Sequence, residues 1–221
     1  MSQHETTLAT TSQTTTNGTK ALLACGVLAG PLFIVVALMQ LLTRDGFDIR
    51  RHPLSLLSVG DLGWVQIANF VAAGLLTVAF AVGIRRVLHP GRAGTWGPLL
   101  IGAFGLGLIA GGVFVTDPAL GFPPGTPEGM PDDMSWHAVA HGIAPALAFD
   151  AVIVACLVFV RRFVALRQWR WVAYSAATAA AAVALTWWPN QDGISVRLAL
   201  AVALAFVWTS SLALRLMRDV K

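Results

Sequence analysis

Charge is scarce in this chain. Asp, Glu, Lys and Arg together make up 12% of its 221 residues, about half of the roughly 25% usual in soluble domains, and that excludes an ordinary water-soluble globule. Cysteine occurs only at Cys25 and Cys156, near the same-side ends of their apolar stretches, so no disulfide framework is expected and both read as packing residues. No Gly-rich loop followed by Lys is present to cradle a phosphate, which leaves nothing to support nucleotide chemistry. Residues 1–19 hold one acidic residue and no apolar periodicity. They lack the compact basic start of a signal peptide and read as a Ser/Thr-rich, disordered cytoplasmic tail.

What the chain has instead is apolar length. Hydrophobic residues make up 56% of it and the mean hydropathy is +0.70. A helix needs about 20 apolar residues to cross the hydrocarbon layer. Six stretches meet that length, near residues 21–42, 64–84, 96–116, 136–160, 169–188 and 194–214. The expected fold is therefore all-α: a polytopic membrane bundle of six helices forming one domain over residues 20–217. Seven of the eight tryptophans, among them Trp64, Trp96, Trp136 and Trp169, fall at expected span ends, where an indole sits well in the interface. Gly26 with Gly30, Gly107 with Gly111, and the alanines of the fifth stretch give small faces for close helix approach.

Orientation follows from the cations, because Lys- and Arg-rich loops stay in the cytoplasm. With the N-terminus inside, eleven of the fifteen basic residues are inside, leaving Arg44, Arg50, Arg51 and Arg197 outside. The expected topology is N-in and C-in. The net charge of +4 and pI near 9.8 then describe loops beside anionic lipid headgroups, with no nucleic acid as partner. Arg outnumbers Lys thirteen to two and Ala and Gly abound, a composition of high-GC bacteria that makes the bacterial plasma membrane the expected location.

The residues that can carry chemistry gather on the outer side. His137 and His141 are separated by about 40° of helical rotation and share a face. Pro145 leaves the His141 carbonyl without its helical partner, adding an acceptor. The first outer loop brings His52, Ser55, Ser58 and Asp61; Asp117 ends the third span. Together these seven form a candidate pocket for a lipid headgroup, a small ligand or a partner protein. Three imidazoles, His52, His137 and His141, can also supply a zinc ion with an open fourth position, with Asp61 or Asp117 as the catalytic base. The structural alternatives are ordinary: Asp61 as a cap for the second span, Asp132 or Asp133 for the fourth, and the histidines as interfacial hydrogen-bonding groups. Asp150 stands apart, about 20 Å into the fourth span and about 220° from His137. An intramembrane carboxylate is a default candidate for a proton step; the alternative is a bond to Asn69, Thr77 or Thr178 on a neighbouring helix.

The run from His52-Pro-Leu-Ser through Gly60-Asp61-Leu-Gly-Trp64, the Asp117-Pro segment with Gly121, Pro123, Pro124, Gly125 and Pro127, and the pair His137 and His141 resemble the bacterial and archaeal membrane family known as domain of unknown function 998, over about residues 21–216. The resemblance implies a six-span membrane protein and brings no reaction with it. A weaker chemical likeness is to the alkaline ceramidases and adiponectin-receptor-like hydrolases, which set Ser, Asp and His around zinc. There the His pair lies in the last of seven spans, whereas here it opens the fourth of six. Three functions follow as expectations: ligand binding in the outer pocket, zinc-dependent hydrolysis of a lipid amide or ester in the outer leaflet, and proton-coupled transport through Asp150. The last lacks the repeated halves of many carriers.

Overall fold

In the computed structural model, residues 3–220 are described, with side chains from residue 16 onward. Six α-helices follow one another: α1 (Gln3–Thr43), α2 (Gly63–Leu88), α3 (Arg92–Val113), α4 (Trp136–Ala165), α5 (Trp169–Trp187) and α6 (Ile194–Met217), with a short 3-10 turn, Leu54–Ser58, between α1 and α2. No strand longer than the Ala119–Phe122 bridge occurs among the described residues. The all-α expectation holds. The helix α1 begins within the Ser/Thr-rich segment, and its apolar part is Thr16–Thr43.

Five of the helices are long and apolar enough to cross a membrane. The exception is α5, expected as the fifth span: its 19 residues are rich in alanine, which is only weakly apolar, and are diluted by Arg170, Tyr174, Ser175 and Thr178. Its neighbours are longer, 30 residues for α4 and 24 for α6.

The helices close into a ring in chain order, each packed on its sequence neighbours and α1 packed on α6. Lipid tails are as apolar as leucine, so close packing rather than escape from water must hold such a ring together. Glycine makes the approach possible. A Cβ at Gly26 would sit 2.4 Å from the Phe80 ring and one at Gly30 2.8 Å from Phe206 Cβ, while Gly74 and Gly105 bring the backbones of α2 and α3 against each other, at 2.6 and 2.8 Å from the facing carbonyls. The small faces read from sequence therefore receive aromatic rings as well as other small residues. Phe33, Phe80, Phe104, Phe159, Phe206 and Trp208 form the buried centre, and the Trp208 indole donates to Ser175 Oγ at 3.1 Å. In contrast, Trp64, Trp96, Trp136, Trp169, Trp187 and Trp188 are all exposed at helix ends.

Candidate ligand-binding site

The loops after α1 and α3 fold together into a small cap over one end of the ring. Its core is Leu56, Val59, Ala119 and Phe122, flanked by Phe47, Val115 and Leu120. Arg44 donates to the carbonyls of Leu57 (3.2 Å) and Val59 (2.7 Å), and its guanidinium lies 5.4 Å from the centre of the Phe122 ring. Arg51 pairs with Glu128, and its carbonyl accepts from Ser195 Oγ at 2.9 Å, tying the cap to α6.

His52 belongs to this cap. Its Nδ1 accepts from the Asp48 N–H at 2.9 Å, which leaves Nε2 as the donor to the Leu120 carbonyl at 3.0 Å. The ring is 3% exposed and packs against Phe47 and Phe122. Both nitrogens are thus engaged by backbone, and a metal would have to displace one of those bonds. His137 is exposed and lies against Trp136, whereas His141, one turn on, is buried. Among the described residues no three His, Cys, Asp or Glu side chains gather as a metal would require. The zinc set His52, His137 and His141 is therefore not assembled, because one ring is committed to the cap and another faces outward.

The two carboxylates expected as bases are apart as well. Asp117 accepts from both the N–H and the hydroxyl of Ser135, each at 2.7 Å, and Ser135 Oγ in turn caps α4 by accepting from Ala138 N–H. Ser135, rather than Asp132 or Asp133, is the N-cap. The two bonds from Ser135, side chain first and then backbone, hold the Asp117 carboxyl below its ordinary value, with a smaller contribution from His137. Asp61 is exposed, makes no cap for α2, and acts on Arg44 through its charge alone.

Two of the seven expected pocket residues do meet. Ser55 and His141 are the polar side chains in a cavity of about 90 Å³ just beneath the cap, otherwise lined by apolar residues such as Phe33, Phe70, Phe104, Pro145 and Val202. At about 10–15 Å³ for each water-sized sphere, that is room for several atoms of a ligand. His141 Nδ1 donates to the Phe114 carbonyl at 2.6 Å, which in the neutral ring leaves Nε2 as an acceptor. Pro145 lines the same cavity, as expected from its place one turn after His141.

The walls of the cavity come from α1, the 3-10 turn, α2, α3, α4 and α6, and none from α5. The reason lies in where α5 stops. Phe163 meets Trp171 near one end of the α4–α5 pair, and at the other the Trp187 indole donates to Asp150 Oδ1 at 3.0 Å. Residues 136–149 of α4, about 21 Å at 1.5 Å per residue, extend beyond that level without α5 beside them. Asp150 has its hydrogen bond from Trp187, not from Asn69, Thr77 or Thr178.

Sequence reading passed over a second polar group. Gln40 Nε2 and Asn69 Nδ2 both donate to Gln66 Oε1, at 2.7 and 3.2 Å, inside the α1–α2 contact. Gln40 Oε1, Gln66 Nε2 and Asn69 Oδ1 are buried without a partner. Three amides on two apolar helices were the available signal.

These features define a class, the α-helical membrane proteins, with a capped bundle and a mostly apolar cavity beneath the cap. The chain belongs to a particular family within it: residues 27–215 match the family described as "Protein of unknown function (DUF998)". No curated protein and no solved structure matches the chain.

Proposed function

We propose that the protein crosses a bacterial plasma membrane six times with both termini in the cytoplasm, and that its cavity takes up the apolar chain of a lipid or lipid-like small molecule from the outer leaflet. The polar end of that molecule meets His141 and Ser55. Six crossings are supported by the place of α5 in the ring, between α4 and α6, and by its length of about 28 Å. The orientation rests on the eleven basic residues at one end. One observation carries the ligand reading: an apolar cavity with two polar side chains, on a side where α5 is too short to contribute a wall. That is the make-up of a site for an amphiphile, in which apolar lining holds the chain and a few polar groups fix its head. The cap, fastened by His52, Arg44 and Arg51, is the roof of this site, and Asp117 fixes the start of the helix that carries His141.

A phosphatidylcholine with a photoreactive diazirine in its acyl chain tests the reading. Photolysis of the protein in vesicles of this lipid, followed by peptide mass spectrometry, is expected to label cavity positions around residues 104–111, 145–149 and 198–202. Ala199→Phe, which fills the cavity from α6, should reduce that labelling several-fold. Labels confined to outward residues such as Leu99 and Leu157, and unchanged by Ala199→Phe, would exclude lipid entry.

A further inference from the structure

The opposite end of the bundle carries a second concavity, unrelated to the cavity beneath the cap. It lies between the start of α3 and the end of α4, encloses about 330 Å³, and is lined by Arg92, Arg161, Arg162, Trp96 and the small residues Gly91 and Ala93, among others. Among the described residues none of these three arginines makes an ion pair. Asp219 is hydrogen-bonded to Arg215 and acts on Arg162 only through its charge. Three arginines border one groove without an acid paired to any of them, and an anion placed there is attracted by all three.

The backbone adds to the same field. The N-cap of α3 is Gly91, which has no side chain to offer the first N–H groups, and no acidic residue stands in the first turn. The positive end of the helix dipole therefore faces the groove without an internal counter-charge. Trp96 is 57% exposed at the rim, at the depth where indoles meet lipid headgroups. Beyond it, Leu99 on α3 and Val154 and Leu157 on α4 are exposed, one to two turns further along helices that pack against each other. The groove thus offers cations at the bundle end and an apolar surface leading away from it into the span.

We propose that this groove is a binding site for the phosphate headgroup of an anionic phospholipid, with its acyl chains along the exposed face of α3 and α4. The planar guanidiniums take the phosphate oxygens in paired hydrogen bonds, and the lipid comes from the leaflet that the arginine-rich end faces. The ligand is a membrane lipid rather than a soluble phosphate ester because the apolar strip continues directly from the cations. Bacterial inner membranes hold such lipids at high local concentration, so the site acts as an anchor that is filled whenever the protein is embedded.

Native mass spectrometry of the full chain, released from nanodiscs of dioleoyl phosphatidylglycerol or of dioleoyl phosphatidylcholine, measures retained lipid directly. The expected result is retention of one or two phosphatidylglycerol molecules with at least tenfold preference over phosphatidylcholine. Arg92→Gln, Arg161→Gln and Arg162→Gln combined should abolish the preference. The triple variant Arg167→Gln, Arg170→Gln and Arg218→Gln, which removes the same charge from the same end but outside the groove, should keep it. Should the first variant fail to fold, Ala165→Trp fills the groove without altering charge and must lower retention equally. Equal loss from both triple variants, or retention untouched by Ala165→Trp, would overturn the site in favour of a diffuse surface attraction. Millimolar inorganic phosphate competing the lipid away in full would overturn the lipid assignment in favour of a free-phosphate site.

Discussion

The two ends of the bundle treat arginine in opposite ways. At the capped end, each of the four arginines is bound by the protein: Arg44 by two carbonyls, Arg50 by Asp48, Arg51 by Glu128, and Arg197 by the carbonyls of Trp188 and Asn190. At the other end, among the described residues, Arg215 alone makes an ion pair. Sequence asymmetry in cation number is thus matched by an asymmetry in cation use. Where arginines are few they are consumed in building a cap; where they are many most have no acid paired to them, and a surface of anionic headgroups would stabilise them. The same contrast holds for the carboxylates, because eight of the eleven acids lie in the loops at the capped end and several of them, Asp48, Asp117 and Glu128, have partners there.

The largest expected effect comes from breaking the cap at its centre. Arg44→Ala removes two charge-assisted bonds to carbonyls and the contact with the Phe122 ring, and should cost about 2–4 kcal/mol. Arg85→Ala, at the exposed opposite end, should stay within about 0.5 kcal/mol. Thermal unfolding of both variants in one detergent measures the difference, and equal shifts would break the comparison. Next in size is His52→Ala. It leaves the Asp48 N–H unpaired, reduces the Leu120 carbonyl to its long bond from Arg51, and opens a void between Phe47 and Phe122, at a cost of about 1–3 kcal/mol. Hydrogen exchange should rise in residues 48–59 and 119–122 and leave the helices α5 and α6 unchanged. Protection lost throughout the chain would mean that cap and bundle unfold as one unit.

Much of this architecture could be read from the residues alone. The starts of the second, fourth, fifth and sixth apolar stretches fall within one residue of α2, α4, α5 and α6, since tryptophan, or the change from polar to apolar composition, marks those ends. That outer-loop residues share one end was legible from chain order. What they do there was not. The groups that engage His52 are the backbone N–H of Asp48 and the backbone carbonyl of Leu120, and every residue carries such groups, so the sequence around them has no signal to read. The Asp150 partner is hidden for a geometric reason: a span running to residue 188 puts Trp187 at the far membrane boundary, and only the early end of α5 brings it to the level of Asp150. Of the seven pocket residues, Ser55 and His141 line one cavity because the 3-10 turn folds back over the bundle.

Acid offers the mildest way to separate the two ends. Asp117 is the cap carboxylate whose ionised form is held by Ser135, and its folded-state pKa is lowered by those two bonds. A carboxylate with a depressed folded value contributes stability in full above its unfolded value of about 3.9, and that contribution is lost as pH falls through the folded value. Between pH 6 and pH 3 the start of α4 should therefore loosen, while the arginine-rich end, whose cations do not titrate in that range, should not change by this route. The carboxyl is solvent-screened, so the effect is below about 1 kcal/mol. It is best read locally, as hydrogen exchange at residues 135–139, which should rise with acid in the wild type. Asp117→Asn removes the titrating group and should make that region loose at pH 6 and insensitive to further acidification. An acid response of the same size in the variant would assign the loosening to another carboxylate of the cap, such as Asp48, and would remove Asp117 from its place as the link between the third-helix loop and the helix that carries His141.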